Sequence, residues 1–218
     1  MFTGLVQHVG VVSALQTRGE QVRIVIDPCG WGHRPARGDS IAVSGCCLTV
    51  AEDLESVAGH FAFDAIPETM AKTKLGTFKV GTPVNLEHSV TASTLMGGHF
   101  VQGHVDATAA VAAVQTGDDW RIRFSPPVGL MPYFVPKGSV CIDGVSLTLA
   151  EVGPSHIAVA LIPETLARTT LGTLRSGDLV NVEADILSKT VVNTLRQHLA
   201  NLSPESIKVM LGHDGAGA

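Results

Sequence analysis

Two stretches of the 218-residue chain nearly coincide: Ile66-Pro67-Glu68-Thr69-Met70-Ala71-Lys72-Thr73-Lys74-Leu75-Gly76-Thr77 and Ile162-Pro163-Glu164-Thr165-Leu166-Ala167-Arg168-Thr169-Thr170-Leu171-Gly172-Thr173. When the alignment is extended to Glu87 and Glu183, 13 of 22 positions are identical. Two further matches lie upstream in the same order: Gly45–Glu52 with Gly144–Glu151, and, more weakly, Val6-Gln7 with Val101-Gln102. Collinear matches at a nearly constant offset indicate a tandem duplication. We predict two units, residues 1–91 and 92–187, each the size of a small domain.

The hydrophobic pattern within each unit is that of β-strands. Val22, Ile24 and Ile26 alternate with their neighbours, and Ile122 and Phe124 alternate with arginines. Glycine and proline recur between these runs, which favours an all-β barrel or sandwich. A short helix is predicted after Pro67 and after Pro163, ending at Gly76 and Gly172.

The C-terminal region has a different period. Val192, Leu195, Leu199 and Leu202 recur every three or four residues, which indicates an amphipathic helix. The apolar stripe either packs back on a barrel or packs against another subunit. We predict a helix over residues 188–205, acting in trimerisation, and a flexible tail over 206–218.

Composition excludes several classes of protein. Hydrophobic residues make up 45% and charged residues 16%, so the chain is too apolar to be disordered. The net charge of −5 argues against a nucleic-acid binder. No apolar run is long enough to span a membrane, and the N-terminus lacks a secretory signal. The four cysteines do not follow a zinc-ligand spacing, so we expect free thiols, no metal and a cytoplasmic location.

Five motifs taken in order make the sequence recognisable. They are Met1-Phe2-Thr3-Gly4, Gly45-Cys46-Cys47-Leu48-Thr49-Val50, Gly97-Gly98-His99-Phe100-Val101-Gln102-Gly103-His104-Val105-Asp106, Asp143-Gly144-Val145-Ser146-Leu147-Thr148 and Ile162-Pro163-Glu164-Thr165. Together they resemble the alpha-type riboflavin synthases, which are built of two lumazine-binding repeats. The resemblance runs from the first residue to about Val191. It implies two tandem six-stranded Greek-key β-barrels, a C-terminal α-helix and a homotrimer held by those helices.

The resemblance also implies a reaction. Two molecules of 6,7-dimethyl-8-ribityllumazine exchange a four-carbon unit and give riboflavin and 5-amino-6-ribitylaminouracil. The substrate supplies its own acidic methyl group, so no cofactor is expected. The productive pair of sites is then the N-barrel of one subunit and the C-barrel of its neighbour, and lumazine synthase is a candidate partner. The alternative is a non-catalytic lumazine- or flavin-binding protein made of the same repeats.

One ligand pocket per barrel follows from the resemblance. The N-barrel pocket is expected to contain Gly4, Leu5, Val6, Cys47, Leu48, Thr49, Asp64, Ala65, Ile66, Pro67, Glu68 and Thr69, with Gly103, His104 and Val105 beside its ligand. The C-barrel pocket is expected to contain Ser146, Leu147, Thr148, Ala160, Leu161, Ile162, Pro163, Glu164 and Thr165. Lys137 follows the loop from Pro126 to Pro136, from which it could reach across to a neighbouring subunit and offset developing negative charge. The alternative interpretation of each Pro-Glu-Thr is a helix start and nothing more.

Five residues are candidates for chemistry. Cys47 is a nucleophile or proton carrier, or else a small core residue. His104 could take or return the methyl proton, because imidazole exchanges protons near neutral pH. Ser146 could orient the ligand or activate water, and Asp185 is either an acid–base partner or a solvated strand end. Ser40 matches a family position near the donor site. His99 is expected to point to the opposite strand face from His104 and to act separately.

Overall fold

Each half of the chain folds into six antiparallel strands. The structure, a computed structural model, describes residues 1–201. The first half contains β1 (His8–Arg18), β2 (Gln21–Asp27), β3 (Ser40–Val43), β4 (Cys46–Thr49), β5 (Phe61–Ala65) and β6 (Pro83–His88). The second half contains β7 (Ala107–Gln115), β8 (Arg121–Ser125), β9 (Ser139–Ile142), β10 (Val145–Val152), β11 (Ile157–Ala160) and β12 (Leu179–Ala184).

The strand order repeats between the halves. In the first, the order is β4-β3-β6-β1-β2-β5, and a bridge between Val50 and Phe63 joins the two edges. In the second, the order β10-β11-β8-β7-β12-β9 closes into a barrel. The last strand of each half returns to pair with the first, as a Greek-key connection requires. The all-β prediction of two six-stranded repeats is confirmed.

The alternating pattern fills each barrel. Ile122 and Phe124 of β8 are fully buried, whereas Arg121 and Arg123, which alternate with them, are exposed. Each half has its own apolar core, centred on residues such as Ile24 and Phe63 in the first and Leu149 in the second. In β8, alternation with period two therefore encodes which face is inside, whereas β6 and β12 are buried at consecutive residues.

The two short helices form where proline predicts them but end earlier than expected. They are α1 (Pro67–Lys72) and α2 (Pro163–Arg168). α1 stops at Thr73, whose hydroxyl donates to the carbonyl of Thr69 and accepts the N–H of Leu75. Gly76 therefore lies in the following 3-10 turn, where a Cβ would collide with the carbonyl oxygen of Met70.

The C-terminal helix, α3 (Ile186–Ala200), begins two residues before its predicted start. The Asp185 carboxylate caps it by accepting the N–H of Leu187 at 2.9 Å. Residue Leu202 and the predicted tail over 206–218 lie outside the described residues. Among the helices of residues 1–201, none has the length and apolar character needed to cross a bilayer.

The two barrels meet about a pseudo-twofold axis. Gly45 and Gly144 approach so closely that a Cβ on Gly45 would lie 2.6 Å from the Gly144 nitrogen. On either side, the Asn85 amide donates to the Asp143 carbonyl and the Asn181 amide donates to the Ser44 carbonyl, both at 2.8 Å. The interface is thus a reciprocal exchange of polar contacts between equivalent residues.

One pair breaks this symmetry. Asp143 is fully buried and forms an ion pair with Lys74, and burial raises the pKa of its carboxyl although Lys74 opposes the shift. At the equivalent places the chain has Ser44 and Thr170. Ser44 accepts the N–H of Asn85 just as Asp143 accepts the N–H of Asn181. The first-half serine therefore performs the backbone contact without a charge.

We expect Lys74→Thr to cost about 3 kcal/mol of unfolding free energy, because it leaves the Asp143 carboxylate buried without a positive charge beside it. The double variant Lys74→Thr with Asp143→Ser copies Thr170 and Ser44, and should recover most of that loss. Urea unfolding of the three proteins measures both effects. A double variant that is no more stable than Lys74→Thr alone would contradict this account.

Candidate functional site

Each barrel receives a short segment from the other half of the chain. We call residues 1–6 the N-terminal strap and residues 100–105 the central strap. The carbonyl of Gly4 in the N-terminal strap accepts the N–H of Ser146 in the second barrel at 2.7 Å, and the carbonyl of Gly103 in the central strap accepts the N–H of Cys47 in the first barrel at 2.8 Å. The straps cross where buried Phe2 pairs with Val101.

The straps also correct the weakest match in the sequence alignment. Gly4 holds the same position against Ser146 as Gly103 holds against Cys47, so the equivalent segments are residues 2–4 and 101–103. The expected match of Val6-Gln7 with Val101-Gln102 is therefore displaced. In the corrected alignment His104 corresponds to Leu5.

Glycine is required where each strap touches the opposite barrel. Gly4 and Gly103 have φ values of +74° and +77°, in the region that residues with a Cβ rarely adopt. A Cβ on either one would also lie 2.6 Å from the Cβ of Ser146 or Cys47. Backbone shape and lack of space both select glycine here.

Two cavities lie beneath the straps, each of about 260 Å³. The first is lined by Cys46, Cys47, Glu68, Thr69, Lys72, Thr73, Gly103, His104 and Val105. The second is lined by Gly4, Leu5, Val6, Val145, Ser146, Glu164, Thr165, Arg168 and Thr169. Every residue that lines the first cavity has its repeat equivalent in the wall of the second.

The assignment of Gly4, Leu5 and Val6 to the N-barrel pocket is wrong. These residues line the second cavity, because the N-terminal strap crosses to Ser146. The central strap, with Gly103, His104 and Val105, lies at the first cavity, where the sequence places it.

The equivalent cavities differ at four positions, and two of these change the available chemistry. Cys47 of the first corresponds to Ser146 of the second, and His104 corresponds to Leu5. Among the helix residues that line the cavities only the cation differs: Lys72 pairs with Glu68 at 2.6 Å in the first, and Arg168 pairs with Glu164 in the second. The first cavity thus has a thiol and an imidazole where the second has a hydroxyl and an apolar side chain.

A histidine outside the predicted pockets contacts one residue of the second cavity wall. The His99 ring nitrogen Nδ1 lies 2.7 Å from the Ser146 hydroxyl. Burial lowers the pKa of His99, with the charge of Asp185 opposing the shift, so the neutral ring is favoured near pH 7. The prediction that His99 lies apart from His104 assumes an extended strand, but both residues lie between β6 and β7, and their spacing does not show that His99 meets Ser146.

Comparison with known proteins agrees with this geometry. The lumazine-binding domain model matches residues 3–89 and 102–185. The chain is 36% identical to the riboflavin synthase of Actinobacillus pleuropneumoniae over 216 residues, covering 95% of this chain and 98% of the relative. It is 41% identical to the riboflavin synthase of Escherichia coli strain K12 over 203 residues, covering 92% and 94%. The chain belongs to the riboflavin synthase family.

Two solved structures of similar fold are complexes with a ribityl lumazine or with riboflavin. LumP complexed with riboflavin has a TM-score of 0.75 and 28% identity, covering 84% of this chain and 99% of that protein. LumP complexed with 6,7-dimethyl-8-(1'-D-ribityl) lumazine has a TM-score of 0.74 and 26% identity over the same shares. The family resemblance read from the five motifs is confirmed.

Several residues expected at the riboflavin synthase pockets lie beside the cavities rather than in their walls. Buried apolar side chains belong to the barrel cores: Leu48, Ala65, Leu147 and Leu161. Exposed residues flank them on strand ends and helix starts: Thr49, Ile66, Pro67, Thr148, Ala160, Ile162 and Pro163. The carboxylate of Asp64 binds Arg23 at 2.6 and 2.7 Å, which lowers the pKa of Asp64 and occupies both its oxygens.

Three further predicted residues are spread around the second barrel and the edge of the first. Ser40 begins β3 and pairs with Thr49. Lys137 lies in the turn before β9 with φ of +67°, and its N–H donates to the Leu149 carbonyl. Asp185 caps α3, and its charge reaches His99. Within a single chain, Ser146 lines the second cavity and contacts His99, whereas Ser40, Lys137 and Asp185 are absent from the walls of both cavities.

The cysteines divide by environment, and all four of them are free thiols. Cys46 and Cys141 are buried, and burial raises the pKa of Cys46 to about 12. A thiol of that pKa stays protonated and unreactive. Cys29 is exposed. Cys46 and Cys47 both line the first cavity, and Cys47 is the less buried of the two and the more accessible to a ligand.

We expect Gly103→Ala to be far more damaging than Gly19→Ala. Both positions have positive φ, which costs an alanine about 1 kcal/mol, but nothing lies within 4 Å of a Cβ on Gly19. At Gly103 the added methyl must also push the central strap away from Cys47. Denaturant unfolding should therefore show a loss for Gly103→Ala at least twice that for Gly19→Ala. Equal losses would mean that the strap adjusts freely.

Proposed function

We propose that this chain catalyses the riboflavin synthase reaction, in which two molecules of 6,7-dimethyl-8-ribityllumazine give riboflavin and 5-amino-6-ribitylaminouracil. The observation that carries the proposal is the pair of cavities with equivalent walls. A reaction between two copies of one molecule needs two sites of the same shape. The two products together contain all the atoms of two substrates, so this transferase needs no oxidant or cofactor.

Binding both reactants supplies much of the catalysis. Holding two molecules in reactive orientation can lower a barrier by about 7–11 kcal/mol. The four-carbon unit must nevertheless move in one direction, so one bound molecule donates it and the other accepts it. Equal shape with unequal chemistry, as in Cys47 against Ser146 and His104 against Leu5, supports that division of roles.

The proposed roles follow from position. In the first cavity, His104 exchanges a proton with the substrate and Cys47 stands beside it as nucleophile or proton carrier. In the second, Ser146 orients the heterocycle, with Asp185 close to its partner His99. Threonine hydroxyls and glutamate carboxylates at Thr69, Glu68, Thr165 and Glu164 suit a polyhydroxylated ribityl chain.

Assembly into a homotrimer is part of the proposal. α3 presents an exposed apolar stripe made of Leu187, Val191, Leu195 and Leu199, each between 52% and 60% exposed. An apolar stripe of this length on one helix is normally covered by a partner. The trimer would bring the first barrel of one subunit beside the second barrel of its neighbour, where Ser40 and Lys137 could reach a shared site.

The proposal includes a cytoplasmic location, supported by the four free thiols. It also includes contact with lumazine synthase, the enzyme that would supply the substrate.

Purified protein incubated with 6,7-dimethyl-8-ribityllumazine should produce riboflavin, measured by its absorbance. His104→Leu gives the first cavity the residue found at Leu5, and should lower kcat at least tenfold while lumazine affinity changes little. His156→Ala, on the outer wall of the second barrel and paired with Glu151, is the matched control and should retain full activity. Riboflavin formation at an unchanged rate in His104→Leu would remove His104 from the chemistry.

The likeness to LumP favours one rival function, binding of lumazine or riboflavin without turnover. The assay above separates the two. Saturable ligand binding to the wild-type protein with no riboflavin formed would reject the synthase and support the rival.

We expect Leu195→Glu to break the trimer into monomers, because it places a charge in the apolar stripe. Gln197→Glu, on the opposite side of α3, adds the same charge and should leave the trimer intact. Sedimentation velocity measures the mass of each protein, and activity per chain should fall with the trimer. A monomeric wild-type protein with full activity would contradict the intersubunit site.

A further inference from the structure

Each strap is fastened by one buried glutamate. Glu87 on β6 accepts the N–H of Thr3 at 2.6 Å, the hydroxyl of Thr3 at 2.7 Å and the N–H of Gly4 at 3.0 Å. Glu183 on β12 accepts the N–H of Gln102 at 2.8 Å and the N–H of Gly103 at 3.0 Å. Both side chains are almost completely buried. In the sequence, Glu87 and Glu183 are the last identical pair of the repeat alignment.

The connection between glutamate and cavity is crosswise: each glutamate holds a strap segment that lies at the cavity of the other barrel. Glu87 belongs to the first barrel, yet the Thr3-Gly4 segment that it holds lies against Ser146 and forms the wall of the second cavity. Glu183 belongs to the second barrel, yet the Gln102-Gly103 segment lies against Cys47 at the first cavity. Neither glutamate lines a cavity itself.

We propose that Glu87 and Glu183 are positioning residues that act across the barrel interface: each sets the shape of the ligand pocket in the barrel to which it does not belong. This inference rests on the proposed function, in that both cavities bind the lumazine or its product. The shape of each pocket then depends on a glutamate of the other barrel, so a substitution of that glutamate changes ligand binding in the barrel to which it does not belong.

A carboxylate is suited to this task because its two oxygens accept from two adjacent N–H groups at once. Glutamine has the same shape but one oxygen and one NH₂ group, so it must turn a donor toward one of the strap N–H groups. Burial raises the pKa of both carboxyls, that of Glu183 to about 7, with Lys189 opposing and Asp106 adding to the shift. The strap bonds therefore compensate only part of the cost of burying the charge.

The test compares Glu87→Gln with Glu183→Gln in the full-length protein. Riboflavin is titrated into each while the methyl signals of Val6 and Val105 are followed by NMR. Val6 lines the second cavity and Val105 the first, so each valine reports occupancy of one pocket. Glu87→Gln should raise the riboflavin Kd by about tenfold at Val6 and leave it unchanged at Val105, since loss of one charge-assisted bond is of that order. Glu183→Gln should do the reverse.

A ligand-free readout separates this inference from the proposed function. Amide hydrogen exchange should accelerate at Thr3 and Gly4 in Glu87→Gln, and at Gln102 and Gly103 in Glu183→Gln, without change in the other strap. If the wild-type protein binds no riboflavin but each variant accelerates exchange only in the strap that its glutamate holds, the proposed function fails and the positioning role of the glutamates stands. If riboflavin binds and each variant weakens binding in the pocket of its own barrel, the positioning role across the interface is wrong.

Two further variants guard against general destabilisation. Thr3→Val removes the hydroxyl bond to Glu87 without altering a barrel strand, and should weaken riboflavin only at Val6. Glu20→Gln, exposed in the turn between β1 and β2, should change neither pocket. Equal loss at Val6 and Val105 in Thr3→Val, or in both glutamate variants, would overturn the crosswise assignment.

Discussion

The architecture depends on two places where backbone touches backbone with no room for a side chain. Gly4 against Ser146 and Gly103 against Cys47 bring each strap within hydrogen-bonding distance of a foreign barrel. The straps then close the cavities, carry His104 and Leu5 into them, and fix the angle between barrels together with the Gly45–Gly144 contact. A larger residue at any of these glycines would separate surfaces that must meet before a ligand can be enclosed.

The two repeats share their backbone contacts but differ in the reactive side chains of their cavities. The backbone contacts made by Asn85 and Asn181, and by Glu87 and Glu183, recur in both halves. The reactive positions do not recur: the thiol of the first cavity corresponds to a hydroxyl in the second, and the imidazole corresponds to a leucine side chain. Those asparagines and glutamates are the same in both halves, whereas four of the nine residue pairs that line the cavities differ.

Much of the fold was readable from the sequence because its signals are local. Alternation in β8 predicts the buried Ile122 and Phe124, and Pro67 and Pro163 mark helix starts. The helix ends were missed because the hydroxyls of Thr73 and Thr169 stop the helices before the glycines. The strap exchange was missed because a three-residue segment has no periodicity from which its partner can be inferred. For the same reason the His99–Ser146 contact, across 47 residues, had no signal in spacing.

The exchanged straps bear on how such a protein could have arisen. A single repeat has no segment of its own over its cavity, since its leading residues reach outward to a second copy. Two identical repeats could satisfy each other only as a reciprocal pair of separate chains. Fusion of two gene copies would preserve this exchange of straps within one polypeptide. Each copy could then acquire its own reactive side chains without changing those of the other.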